Sequence, residues 1–192
     1  MKKILFAFSS TAFLMIASIV TVKGQDSSLK AEIMPVAVQQ DIVDIAGGSP
    51  EHTMLVKAIT DADLVKVFKM NGPYTVFAPT NAAFDKIPAA DRTKLMKNKA
   101  GLAKVLKYHV VGGNWNSVTL MAAIKQGNGV VELPTLAGNK LKATIEDGKV
   151  KLTDEGGNAC FVTNADIMAS NGVIHIVDAV AMPMQQVTAA KK

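Results

Sequence analysis

The chain has 192 residues, of which 49% are apolar and 19% charged, with a formal net charge of +5 and a single cysteine. That length and apolar content suit one packed domain with short tails and exclude a disordered polar polymer. The lone Cys160 excludes an intramolecular disulfide, and the scattered lysines exclude the clustered basic footprint of a nucleic-acid binder.

In chain order, Lys2 and Lys3 precede a mostly apolar stretch over residues 4–22, and Val22-Lys23-Gly24 sets a small residue before a cleavage point. This is the pattern of a secretory signal peptide over residues 1–24, with a retained membrane anchor as the weaker alternative. The segment holds three lysines and no acid, so 18 basic residues face 16 acidic ones beyond it. No second apolar run of that length follows, so no transmembrane segment is expected after signal removal. Residues 25–39 read as a leader, residues 40–183 as one domain and residues 184–192 as a tail.

Within the domain, residues 41–46 form a short element closed by Gly47-Gly48. Ser49-Pro50 marks a helix start, with serine as cap and proline at the first helical position. Leu55, Ala58, Ile59 and Ala62 follow at helical spacing, and a second short helix is predicted over residues 63–69. Asn71-Gly72-Pro73 breaks it. Tyr74, Val76 and Phe77 then build a strand that Pro79 ends, and Thr80 is placed to cap the next helix, with Asn81 as the competing cap. Helices are predicted over 91–97 and 99–108, the second with Leu102, Val105, Leu106 and His109 on one face. A short strand over 109–111 and a helix capped by Ser117, carrying Leu120, Met121 and Ile124, complete the helical half.

The remainder reads as strand. Leu141, Ala143 and Ile145 alternate with polar residues, Asp147-Gly148 is a two-residue hairpin signal, and Val150 and Leu152 continue the alternation. Cys160 lies in an apolar strand over 160–163 as a buried thiol, an intermolecular disulfide being the minor alternative. Gly172 opens a nearly continuous apolar run over 173–177, suited to a strand covered on both faces. Helices first and strands second make the class α+β.

Few residues point to chemistry. His52, His109 and His175 have no metal-ligand spacing; His52 is expected to be exposed in a first helical turn, the other two to be hydrogen-bonded in the core. There is no nucleophile elbow, phosphate loop or Asn-x-Ser/Thr acceptor. Asp85, Asp166 and Asp178 have surface or capping roles as their simplest account. The polar residues Thr80 and Asn81 are expected to satisfy buried backbone groups.

Three separated segments carry a resemblance. Thr75-Val76-Phe77-Ala78-Pro79-Thr80-Asn81-Ala82-Ala83-Phe84 resembles the first conserved box of fasciclin domains. Tyr108-His109-Val110 is similar to their central Tyr-His element. Asn171-Gly172-Val173-Ile174-His175-Ile176-Val177-Asp178 resembles their second box. The resemblance implies a wedge of two small β-sheets flanked by several helices, with the two boxes together in the interior. It assigns structural roles to Thr75, Phe77, Pro79, Thr80, Asn81, Phe84, Asn171, Gly172, His175 and Asp178. It also implies an extracellular adhesion or binding module with no enzymatic activity or cofactor. In animal members an Asp-Ile pair and the Tyr-His region contribute to integrin recognition. Tyr108, His109, Asp166 and Ile167 are therefore the candidate binding residues, although Asn164-Ala165 stands where the best-known version has Glu-Pro. The expected partner is a surface or matrix protein or a polysaccharide. The alternative is a secreted small-ligand carrier or enzyme with a pocket near the two boxes. Oligomeric state is left open.

Overall fold

The computed structural model describes residues 40–184. The expected signal peptide and leader, and all of the tail beyond Met184, lie outside the described residues.

Each helix of the first half starts for a local reason. In α1 (Ile42–Gly47) the Asp41 carboxylate accepts from the Val43 and Asp44 amides at 2.8 and 2.9 Å, while Asp44 accepts from the Asp41 amide at 3.3 Å. This reciprocal cap satisfies donors that the first turn leaves open. A 3-10 turn (Pro50–His52) leads into α2 (Thr53–Asp61), whose Leu55, Ala58 and Ile59 are buried. Here the expectation for Ser49 is corrected. Its hydroxyl makes no cap and instead bonds His52 Nδ1 at 2.8 Å. α2 is capped from a distance, because Asn81 Oδ1 accepts from the Met54 amide at 2.9 Å and Asn81 Nδ2 donates to the Pro50 carbonyl at 3.0 Å. The short α3 (Val65–Phe68) buries Phe68.

β1 (Tyr74–Pro79) then runs into α4 (Asn81–Asp85), and the Thr80 hydroxyl accepts from the Ala83 amide at 3.2 Å as the cap. α5 (Ala89–Lys97) and α6 (Lys99–Tyr108) follow, and His109 closes α6 rather than opening the next strand, β2 (Val110–Gly112). α7 (Ser117–Gln126) is capped by Asn116, whose side chain accepts from the Thr119 amide at 2.8 Å. Ser117, predicted to be that cap, is engaged elsewhere.

The strands β3 (Val130–Pro134), β4 (Lys140–Glu146), β5 (Lys149–Thr153), β6 (Ala159–Ala169) and β7 (Gly172–Val177) complete a sheet ordered β2-β1-β7-β6-β5-β4-β3. β3 turns Val131 and Leu133 inward, but its Val130-Val131 start and Pro134 end blur the apolar–polar alternation, and the sequence reading passes over it. The β4–β5 hairpin turns at Asp147 and Gly148, whose φ values of 51° and 75° are the left-handed pair such a turn requires. Ile145 departs from expectation: it is 39% exposed, because the burial alternation fades towards the hairpin.

β1 and β7, the two boxes, pair in parallel from Tyr74↔Gly172 to Pro79↔Val177. A Cβ at Gly172 would stand 2.0 Å from the Tyr74 carbonyl oxygen, so only glycine fits there. The pair is covered on both faces. Val76, Ala78 and Ile174 join a core with α1, α2 and α6, whereas Phe77 and Val177 join a second core with α7 and the β3–β5 strands. β6 belongs to both halves of the sheet, pairing with β7 on one side and β5 on the other, with bulges between Val162 and Ile167. The two ends of the strand order also meet, through a Val111–Thr135 bridge and a Leu136 amide donating to the Val110 carbonyl at 2.8 Å. The result is the α+β fold expected, a nearly closed mixed sheet with helices against it.

Asn81→Ala removes the remote cap of α2 and should lower unfolding free energy by about 1–2 kcal/mol. Urea denaturation, with the slope unchanged and the midpoint reduced, is the measurement.

Candidate functional site

The four candidate binding residues sit in different environments. Tyr108 is fully buried; its hydroxyl donates to the Lys140 carbonyl at 2.9 Å and accepts from the Glu155 amide at 3.3 Å. Burial pushes its pKa up to about 12. His109 is also buried. Its Nδ1 faces the Val105 carbonyl at 2.9 Å and must donate, since a carbonyl only accepts; Nε2 is then the bare acceptor for the Ala181 amide at 3.0 Å. Burial holds His109 below its ordinary pKa, which keeps this neutral tautomer in place. Neither side chain presents a surface to a macromolecular partner. This corrects the direct-contact role that the resemblance implied for them.

Asp166 is exposed and has φ 60°, a left-handed backbone that aspartate tolerates better than most residues. It lies in the β6 bulge, which turns its carboxylate away from the sheet onto the start of α7. There it accepts from the Ser117 amide at 2.7 Å and from the Ser117 hydroxyl. Burial works to raise its pKa, but the two Ser117 hydrogen bonds more than offset it and hold the carboxyl low. Its own amide donates to His175 Nδ1 at 3.3 Å, so His175 Nε2 carries the proton given to the Trp115 carbonyl at 2.7 Å. His175 also stacks on Phe77, with ring centroids 5.6 Å apart. Ile167 is half-buried opposite Ile174. The bulge thus ties the second box to α7 through groups on three elements.

The polar box residues hold loops. Asn171 accepts from the Ile42 amide at 3.1 Å and donates to the Phe68 and Met70 carbonyls at 2.8 and 3.2 Å. Thr75 Oγ1 donates to the Gly113 carbonyl and accepts from the Trp115 amide, both at 2.8 Å. Asp178 accepts from the Phe161 amide at 2.7 Å and from Lys86 at 3.0 Å. Cys160 is buried, and burial pushes its thiol up to about 12, so it is not a thiolate nucleophile.

His52 corrects the sequence reading most sharply. It is 5% exposed rather than a surface residue, and its Nε2 has no hydrogen-bond partner among the described residues. A signal was there to find it: His52, Leu55 and Ile59 recur at i, i+3 and i+7, the buried face of α2. Its ring lines an apolar cavity of about 80 Å³ between the first two helices, α6 and the β1–β7 pair. His109 and Ile167 line the same cavity.

Outside, two grooves of about 970 and 380 Å³ share Met168, Ala169 and Ser170 as a common wall. Met168 is 61% exposed on that ridge, and Val118, next to the serine that holds Asp166, is 74% exposed. Val118 does not stand out in the sequence, and Met168, which as a flexible methionine the sequence suggests for a gap-filler of the core, is instead exposed. Among the described residues, no group of three or more His, Cys, Asp or Glu is placed to hold a metal ion, and no helix is long and apolar enough to cross a membrane.

A nearly closed mixed sheet with two parallel interior boxes, their loops fixed by asparagines, defines a fasciclin-type domain. The fasciclin domain family matches residues 50–183, and the chain belongs to it. It is 42% identical over 144 residues to Protein sll1483 of Synechocystis sp., covering 74% of this chain and 73% of that one. It is 34% identical over 163 residues to the immunogenic protein MPB70 of Mycobacterium bovis, covering 78% and 74%. It is also 37% identical over 142 residues to transforming growth factor-beta-induced protein ig-h3 of Sus scrofa, where it spans 74% of its own length but 19% of the relative. A solved FAS1 domain pair from the insect cell adhesion molecule Fasciclin I superposes with a TM-score of 0.67 at 17% identity, covering 77% of this chain and 52% of that one.

His52 and His109 are both depressed, chiefly by burial, so the unfolded chain takes up protons before the folded one as pH falls below 6.5. Their contribution to stability is present above that value and declines as pH drops. The urea midpoint should therefore fall between about pH 6.5 and 5, with net proton uptake on unfolding. In His109→Gln the slope over that interval should be shallower.

Proposed function

We propose that the protein is an exported, non-enzymatic binding module of the adhesion type, recognising a surface protein or a polysaccharide through the ridge at Met168 and the bulge at Asp166. The observation that carries this reading is the pair of open grooves meeting at Met168, beside a bulge whose Asp166 carboxylate is held by Ser117 and whose Asp166 amide is held by His175. An exposed apolar residue between shallow, partly polar grooves suits an extended polymer or a protein loop better than a small substrate enclosed for turnover. The chemistry-bearing interior groups support the same reading. Both ring nitrogens of His109 and of His175 are committed to protein partners, and Cys160 is buried and protonated. Export rests on the pattern of residues 1–24, and the family relationship favours an extracellular or periplasmic setting.

Asp166 has a positioning part here. Its carboxylate fixes the first residue of α7 against β6, so Val118 and Met168 are presented on connected elements.

Protein from residue 25 onward should be retained by a polysaccharide panel or an immobilised envelope extract and should turn nothing over. Met168→Lys should weaken that retention by about tenfold while leaving the melting temperature nearly unchanged, as a hot-spot residue on an open surface would. Turnover of any panel component, or retention indifferent to Met168→Lys, counts against the reading.

A further inference from the structure

We propose that the interior cavity beside His52 is a second binding site, for a small neutral aliphatic molecule that carries one hydroxyl group. It is separate from the surface ridge and does not depend on it.

The walls set the chemistry of the occupant. Aliphatic and aromatic side chains from α1, α2, α3, α6, β1 and β7 surround the space, among them Ile42, Ile59, Phe68 and Ile174. Only Ser49, His52 and His109 among the lining residues have polar side chains. His109 is closed to a ligand, since both ring nitrogens already hold backbone groups. The Ser49 hydroxyl engages His52 Nδ1 at 2.8 Å. That leaves His52 Nε2, which among the described residues is the one buried side-chain nitrogen or oxygen without a protein partner. Buried polar atoms are nearly always paired, so an exception calls for an explanation.

Water answers poorly. The cavity has room for two or three waters by liquid volume, but a buried water needs about three polar partners and these walls supply one. A carboxylate answers poorly too, because burial keeps the His52 imidazole neutral and an unpaired charge among isoleucines is costly. A hydroxyl fits both tautomers. If Ser49 donates to Nδ1, Nε2–H is a donor that the ligand oxygen accepts; if Nδ1 donates to Ser49, the ligand O–H donates to Nε2. The aliphatic remainder would lie against the isoleucines. A cavity of about 80 Å³ is roughly half the ~150 Å³ of an engineered cavity that takes up benzene, which sets the enclosed part of the ligand at about three to five heavy atoms. Ile45, Ser49, Ile167 and Ile176 are only half-buried, so the surface lies nearest on that side and a longer chain would project there.

The probe for the test is 1-butanol, followed by NMR on protein from residue 25 onward with labelled isoleucine methyls and histidine rings. Saturable shifts are expected at the Ile59 and Ile174 methyls and at the His52 ring nitrogens. Xenon, which fills apolar space without hydrogen bonding, should move the same methyls but leave the His52 nitrogens nearly unmoved. His52→Phe should weaken butanol about tenfold and xenon by less than about twofold, because it keeps the ring and loses the polar atom. Shifts confined to surface methyls overturn the site, and equal butanol affinity in His52→Phe overturns the part given to His52. Should that variant fail to fold, the wild-type comparison decides: butanol perturbing the His52 nitrogens where xenon does not supports the proposal, and no difference overturns it.

Discussion

The structure depends on the parallel pairing of β1 with β7 in the interior. Parallel neighbours cannot be joined by a tight turn, and this pair is separated by most of the domain, so its formation brings the helical half and the strand half together. Because both faces are covered, the two strands sit between separate cores and take part in each. Close approach is enforced at Gly172, where any side chain would meet the Tyr74 carbonyl.

Burying such a pair leaves the backbone at its ends in need of partners, and the polar box residues supply them. Asn171 serves α1 and the end of α3, Asn81 serves the start of α2, Thr75 holds the Gly113–Trp115 loop, and Asp178 holds β6. These residues do not reach towards a ligand. They join the clasp to its surrounding loops, which leaves the proposed binding ridge beside the boxes rather than in them. His175 is the point of contact between the two regions, since it stacks on Phe77 and also receives the amide of Asp166.

The legible parts of the site were those written in local chemistry. The β1–α4 turn, the hairpin at Asp147-Gly148, the buried Cys160 and the doubly covered β7 all follow from residue type and short-range pattern. The family resemblance added which two strands belong together. The misreadings share one cause: a side chain had more than one plausible partner, and a distant segment decided between them. Ser49 turned to His52, Ser117 turned to Asp166, and Asn81 capped a helix starting 28 residues before it. The resemblance offered Tyr108 and His109 for contact, whereas the residue pattern already placed a hydrogen-bonded His109 in the core; α6 ends inside the core and draws both rings with it.

The sequence by itself determined the class and, β3 apart, the order of the strands and main helices, because helix periodicity, turn residues and strand patterning act over a few neighbouring positions; the pairing of the clasp came with the family resemblance. Only the tertiary structure decided which polar atoms would find partners. The bulge that turns Asp166 onto α7, the ridge that exposes Met168 and the cavity that leaves His52 Nε2 unpaired all arise where remote segments meet. Hydrogen-bond satisfaction and solvent exposure are properties of those meetings, and no single stretch of the chain contains them.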